Sequence, residues 1–217
     1  MSSAMSARHV AVTCQAASHL LGYPDEDLRS RLPLLADAVA SLPAGRAQAG
    51  LARFIDHVEA TPARDLAEHY VSTFDRRRRC CLYLTWWTDG ETRRRGQALA
   101  GLKERYRRGG LELGNGELPD FLPVVLEYAA TGDLADGLAV LQEQRAGLEL
   151  LRIALEDAGS PYADVVAAVC SLLPGPSPRD RAAAMQLARS GPPQEMVGLE
   201  PYAVASAGPG SEGALHR

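Results

Sequence analysis

Thr131-Gly-Asp-Leu-Ala-Asp-Gly-Leu-Ala-Val-Leu-Gln-Glu-Gln-Arg-Ala-Gly-Leu-Glu-Leu-Leu-Arg-Ile-Ala-Leu-Glu-Asp-Ala-Gly159 is the stretch that decides the fold class. Leu134, Leu138, Leu141, Leu148, Leu151 and Leu155 recur at spacings of three, four and seven, which line one face of a helix and do not alternate as a strand does. The pattern predicts one long helix, opened at Thr131-Gly132-Asp133 and closed at Gly159-Ser160-Pro161.

Working outward, the same periodicity recurs. Toward the C-terminus, Val165, Val166, Val169, Leu172 and Leu173 predict one more helix before Pro174. Toward the N-terminus, Phe121 to Tyr128 is apolar nearly all round, as a central helix is, and Asp120 stands where its N-cap belongs. Leu99, Leu102 and Tyr106 mark a helix that ends at Gly109-Gly110, and Thr88-Asp89-Gly90-Glu91 reads as the capping box that opens it. Four more stripes precede these: Val10 to Leu21; Asp25 to Ala40, which Pro33 should kink or split; Leu51 to Val58; and Ala63 to Phe74. Short loops between them imply antiparallel neighbours. The expectation is an all-α fold of seven to ten helices, a single domain over residues 1–175. Residues 176–217 are rich in Pro, Gly and Ala, with one short helix expected at Asp180 to Ala188 and then a flexible tail. The composition agrees: 46% of residues are hydrophobic but only 6% aromatic, so alanine and leucine, both good helix formers, supply the core.

Charge is segregated. Asp75 to Arg108 holds 11 basic and four acidic residues, a local +7, so a total of -4 leaves -11 for the rest of the chain. That acidity argues against general nucleic-acid affinity, which needs many phosphates neutralised. The first residues lack the basic and apolar regions of a signal peptide, and no apolar run is long enough to span a bilayer, so a cytoplasmic protein is expected, with no direct membrane insertion. Cys14, Cys80, Cys81 and Cys170 lack metal-ligand spacing, and the five histidines form no catalytic constellation. No phosphate-binding glycine loop or nucleophile elbow is present, so neither an enzyme, a metal site nor a bound cofactor is expected.

The segment Tyr70-Val-Ser-Thr-Phe-Asp-Arg-Arg-Arg-Arg-Cys-Cys-Leu-Tyr-Leu-Thr-Trp-Trp-Thr-Asp-Gly-Glu-Thr-Arg-Arg-Arg95 concentrates both tryptophans and seven arginines. Tyr83, Trp86 and Trp87 stand at i, i+3 and i+4, which one helical turn would place together. An aromatic platform rimmed by arginine is the composition of a binding hot spot, although aromatics at that spacing also serve as core. Arg76, Arg77, Arg78, Arg79, Arg93, Arg94 and Arg95 either lock flanking helices to acidic neighbours or contact a folded partner. Two other readings of the segment remain: a phosphate- or RNA-binding module built on the arginines, and a thiol redox protein using Cys80 and Cys81.

This segment, followed by Glu117-Leu-Pro119-Asp120-Phe-Leu-Pro-Val-Val-Leu-Glu-Tyr and preceded by Leu20-Leu-Gly-Tyr-Pro24, closely resembles the NarJ-type chaperones that assemble respiratory nitrate reductase. The similarity runs from about Thr13 to Leu173. It implies an all-α fold shared with chaperones of other molybdenum enzymes. It also implies a partner, the catalytic subunit of the reductase, bound through its N-terminal segment and kept ready for molybdenum cofactor insertion before membrane docking. Two family motifs fall here: aromatic-x-x-x-Phe on Tyr70 and Phe74, and Glu-x-Pro-Asp-His on Glu117, Pro119 and Asp120, with Phe121 where the family has histidine. The expected peptide groove therefore lies between the Tyr70 to Trp87 region, with Tyr70, Phe74, Tyr83, Trp86 and Trp87, and the Asp120 to Tyr128 helix, with Pro119, Asp120 and Phe121 at its start. Glu117, Asp120 and Glu127 would orient the cations of the peptide.

Overall fold

The computed structural model describes residues 6–90, 92–114 and 116–190, and all regular structure within them is helical. Eleven α-helices appear among the described residues, more than the seven to ten expected, because one predicted helix divides and a short one is added between the fourth stripe and the helix of Leu99 to Tyr106. In order they are α1 (Ala7–Leu20), α2 (Glu26–Ala40), α3 (Arg46–Ala60), α4 (Ala63–Tyr70), α5 (Leu84–Asp89) and α6 (Arg93–Arg108). Then come α7 (Leu122–Thr131), α8 (Leu134–Glu143), α9 (Arg145–Asp157), α10 (Tyr162–Cys170) and α11 (Arg181–Ser190). Residues 191–217, on which the flexible-tail expectation rests, lie outside the described residues.

The stripes read from the sequence become the core. Leu28, Leu32, Leu35 and Val39 of α2 and Leu51, Phe54, Ile55 and Val58 of α3 are all buried. Helices α1 and α7 pack extensively on one another, α10 packs on α3, and α9 contacts α10, α11 and α5. Side chains that accept from backbone N–H groups start several helices: Ser6 for α1, Asp25 for α2 and Asp133 for α8. Gly137 of α8 lets two helices touch, since a Cβ there would lie 2.4 Å from the Cα of Ala129 on α7.

Several local expectations are corrected. Pro33 does not split α2, which runs continuously through it; the proline lies on the exposed side, where a carbonyl left without its N–H partner can meet water. The predicted helix over Leu134 to Leu155 divides at Gln144, where the polar run Gln142 to Arg145 interrupts the leucine stripe. Thr88 and Asp89 do not open α6. They close α5, whose C-cap is Gly90 at φ +57°, and α6 starts after Thr92. Asp120 does not cap α7, whose N-cap is Phe121.

Candidate functional site

Helix α4 does not stop cleanly. It runs on as a π-turn over Val71–Asp75, closed by the N–H of Arg76 on the carbonyl of Val71 at 3.1 Å. The two motif rings meet there, with the centroids of Tyr70 and Phe74 4.8 Å apart. Tyr70 is buried, donates its hydroxyl to the carbonyl of Leu21 at 3.3 Å, and meets Tyr23 edge-on at 5.4 Å. Tyr162 of α10 backs the group, 4.8 Å from Phe74. Tyr23, by contrast, is 52% exposed and Phe74 half-buried, so the group surfaces along one edge.

Beside it, Tyr83 and Phe121 face each other in an isolated antiparallel bridge, their rings 5.4 Å apart. The bridge is held by the N–H of Leu84 on the carbonyl of Asp120 and by the N–H of Leu122 on that of Leu82, each at 2.9 Å. Both rings are half-buried. Glu117 is exposed, and its negative charge reinforces the burial that raises the phenols of both Tyr70 and Tyr83, so one carboxylate is felt by both aromatic pairs.

Asp120 has a different place from the one expected. It is fully buried, and its carboxylate accepts from the hydroxyl of Thr85, from the N–H of Thr85 at 3.3 Å, and from the guanidinium of Arg95 at 3.3 Å. Arg95 also donates through Nε to the hydroxyl of Thr85 at 3.2 Å, and its guanidinium lies 5.9 Å from the centroid of the Tyr83 ring. The carboxylate thus caps the first turn of α5 from a loop 35 residues away in sequence. Pro119 is buried as well, and its carbonyl accepts from the hydroxyl of Tyr106 at 2.6 Å. Of the motif's acidic residues only Glu117 reaches the surface.

Glu117 and the exposed Glu127 share a cavity of about 180 Å³ with Glu112 and with the apolar Leu111, Leu113 and Val124. A second cavity, of about 350 Å³, adjoins it through Glu117 and reaches Lys103 and Arg107. The first is a mainly apolar recess with carboxylates at its edge; the second is more polar and adds two cations.

The expected platform of Tyr83, Trp86 and Trp87 is divided, because Tyr83 is extended and α5 begins only at Leu84. Trp87 turns toward α9 and α11, packs on Leu150, Ile153 and Ala184, and donates its indole N–H to the carbonyl of Cys81 at 3.1 Å. Trp86 is half-buried. Of the seven arginines, Arg95 alone forms an ion pair among the described residues; Arg76, Arg77, Arg78, Arg79, Arg93 and Arg94 are exposed without one. Burial raises the thiols of Cys80 and Cys81, the reverse of the activation that a redox thiolate needs. No group of three or more potential ligands is placed to hold a metal among the described residues.

Sequence reasoning missed Tyr23, Tyr162, Thr85 and Glu112. Tyr23 stands in the Leu20 to Pro24 stretch, which marks the family and not a site; Tyr162 is an isolated aromatic next to a proline, and Thr85 lies inside an aromatic run, so none of the three carries a local signal of a site role.

The sequence profile of the family described as nitrate reductase delta subunit matches residues 25–168. The nitrate reductase-like protein NarX of Mycobacterium tuberculosis is 42% identical over 159 residues, which are 73% of this chain but only 24% of NarX. The nitrate reductase molybdenum cofactor assembly chaperone NarJ of Escherichia coli K12 is 36% identical over 149 residues, 67% of this chain and 63% of that protein. NarJ of Bacillus subtilis is 33% identical over 155 residues, 71% of this chain and 84% of that one. A candidate redox enzyme maturation protein from Archaeoglobus fulgidus has a similar fold in its crystal structure, with a TM-score of 0.56 over 74% of this chain and 91% of that one at 21% identity. The profile covers both aromatic pairs, Asp120 and the cavity lined by Glu112, Glu117 and Glu127, though not Tyr23, and the chain belongs to the nitrate reductase delta subunit family, that of the NarJ-type chaperones.

Proposed function

We propose that the chain is a cytoplasmic assembly chaperone for nitrate reductase, not an enzyme. It binds the N-terminal segment of the catalytic subunit, keeps the apoprotein competent for molybdenum cofactor insertion, and delays membrane docking until that step is complete. The observation that carries this reading is the 36% identity over 149 residues to Escherichia coli NarJ, a protein of that assembly role. No helix among the described residues is long and apolar enough to cross a membrane, which is compatible with action before docking.

The half-buried Phe74, Tyr83 and Phe121 and the exposed Tyr23 supply apolar anchors for such a segment, and Glu117, Glu112 and Glu127 select one that carries basic residues. Two anchors at about 1.5 to 3 kcal/mol each offset an ordering cost of about 2 to 5 kcal/mol, and the carboxylates add register and on-rate. Residues 1–175 form the chaperone domain in this scheme, and 176–217 an extension to it.

Calorimetric titration of the full chain with a synthetic peptide of the catalytic subunit's N-terminus tests the reading. Saturable binding is expected, weakened by Phe121→Ala and made less salt-sensitive by Glu117→Gln with Glu127→Gln. A folded chain that releases no binding heat and does not co-purify with the catalytic subunit overturns it.

A further inference from the structure

The run Arg76 to Arg79 has no part in that surface. All four side chains are exposed and lack an ion pair among the described residues. Their backbone is nevertheless fixed. The π-turn leads in, Arg78–Cys80 forms a single 3₁₀ turn, and the buried Cys80 ends it with its thiol 3.9 Å from the carbonyl of Ala154 on α9. A cavity of about 460 Å³ opens between this arc and α9. Arg77, Arg78 and Arg79 line one side, Arg181 at the start of α11 lines the other, and Asp157 is the one acidic residue in the wall. Four cations against one anion leave the lining at +3.

Arg181 is delivered there by an unusual clamp. Arg145, 2% exposed, donates to the carbonyl of Gly175 at 2.8 Å, and Arg152 donates to that of Pro178 at 2.7 Å. The fully buried carboxylate of Glu149 lies between them, 3.7 Å from Arg145 and 2.7 Å from Arg152. Desolvating such charges is unfavourable, and Nε and Nη1 of Arg145 have no partner. What the clamp fixes is the segment Pro174-Gly-Pro-Ser-Pro178, and through it the start of α11.

We propose that this cavity binds a small, multiply charged, phosphate-bearing anion through the guanidiniums of Arg77, Arg78, Arg79 and Arg181. Guanidinium forks match phosphate oxygens in pairs, and four like charges around one small space repel until an anion enters. The cavity's size and the acidic remainder of the chain favour a small anion over RNA, whose affinity is built from many phosphates along an extended track.

The test is calorimetry on the full chain at about 0.15 M salt, titrating inorganic pyrophosphate, then ADP, then a short single-stranded RNA. Pyrophosphate should saturate one site per chain, and Arg79→Gln with Arg181→Gln should weaken it about tenfold or more. Arg93→Gln with Arg94→Gln removes the same charge elsewhere and should leave binding unchanged. Tighter binding of ADP supports the site and extends its ligand to a nucleoside diphosphate. Absence of saturable binding, equal loss in the control pair, or binding of RNA with none of pyrophosphate overturns the proposal. Thermal melts of each variant separate loss of binding from loss of fold.

Discussion

Replacing Asp120 by alanine removes an interior cap. The carboxylate is fully buried, takes two hydrogen bonds from Thr85, and pairs with an Arg95 side chain that is only 20% exposed. Losing one member of a buried pair costs about 3 to 5 kcal/mol, because the partner left behind is uncompensated. Asp120→Ala should therefore destabilise the chain by about 4 kcal/mol. Asp120→Asn keeps the shape and an acceptor oxygen for Thr85 but loses the charge facing Arg95, and should cost about 1.5 to 2 kcal/mol. In a double-mutant cycle with Arg95→Ala, the two losses should fall short of additivity by about 1 to 3 kcal/mol. Urea unfolding followed by far-ultraviolet circular dichroism measures all three. An alanine variant within about 1 kcal/mol of the parent would refute the reasoning, since that is an ordinary surface effect. With the carboxylate inside the protein, Asp120→Asn should leave peptide affinity near that of the parent once folding is accounted for.

Two further outcomes follow from the packing of α6, α7 and α8. A hydrogen bond from Arg105, then one from Tyr128, hold the Asp136 carboxyl below its ordinary range. A depressed folded value means that this stabilisation is present above the unfolded pKa of about 4 and is lost as pH falls through the folded value. The stability gap between the parent and Asp136→Asn should accordingly narrow below about pH 4, and a gap constant down to pH 3 would contradict it. Gly137→Ala forces a Cβ to 2.4 Å from the backbone of Ala129. The helices must part, so stability should fall by about 2 to 3 kcal/mol and Tm by about 5 to 10 °C. An unchanged or raised Tm would mean that helix propensity outweighs the clash.

The parts of this fold that periodicity reveals are those where a side chain's fate is decided by its own helix. Leu28, Leu32, Leu35 and Val39 lie buried as their spacing requires, and so do Leu102 and Tyr106. Periodicity fails where a distant group decides. Asp120 before an apolar run reads as an N-cap because the local alternative is all a sequence displays; its actual partners, Thr85 and Arg95, belong to other elements. Tyr83 separates from Trp87 because the pairing of Leu82 and Leu84 with the strand-like turn at Asp120 to Leu122 holds it extended. The break at Gln144 did leave a trace, since Arg145 occupies a place on the leucine stripe where an apolar residue would continue it. The motif residues Tyr70 and Phe74 do meet, but through a π-turn that no spacing rule anticipates.

The six residues of α5 carry both tryptophans of the chain. Intrinsic fluorescence excited at the indole band therefore samples a single short helix, wedged between the Asp120 carboxylate and the α9–α11 face that Trp87 packs on. An emission change is a local optical signal from that wedge. Circular dichroism averages over every helix, so the two signals together separate detachment of α5 from loss of the bundle.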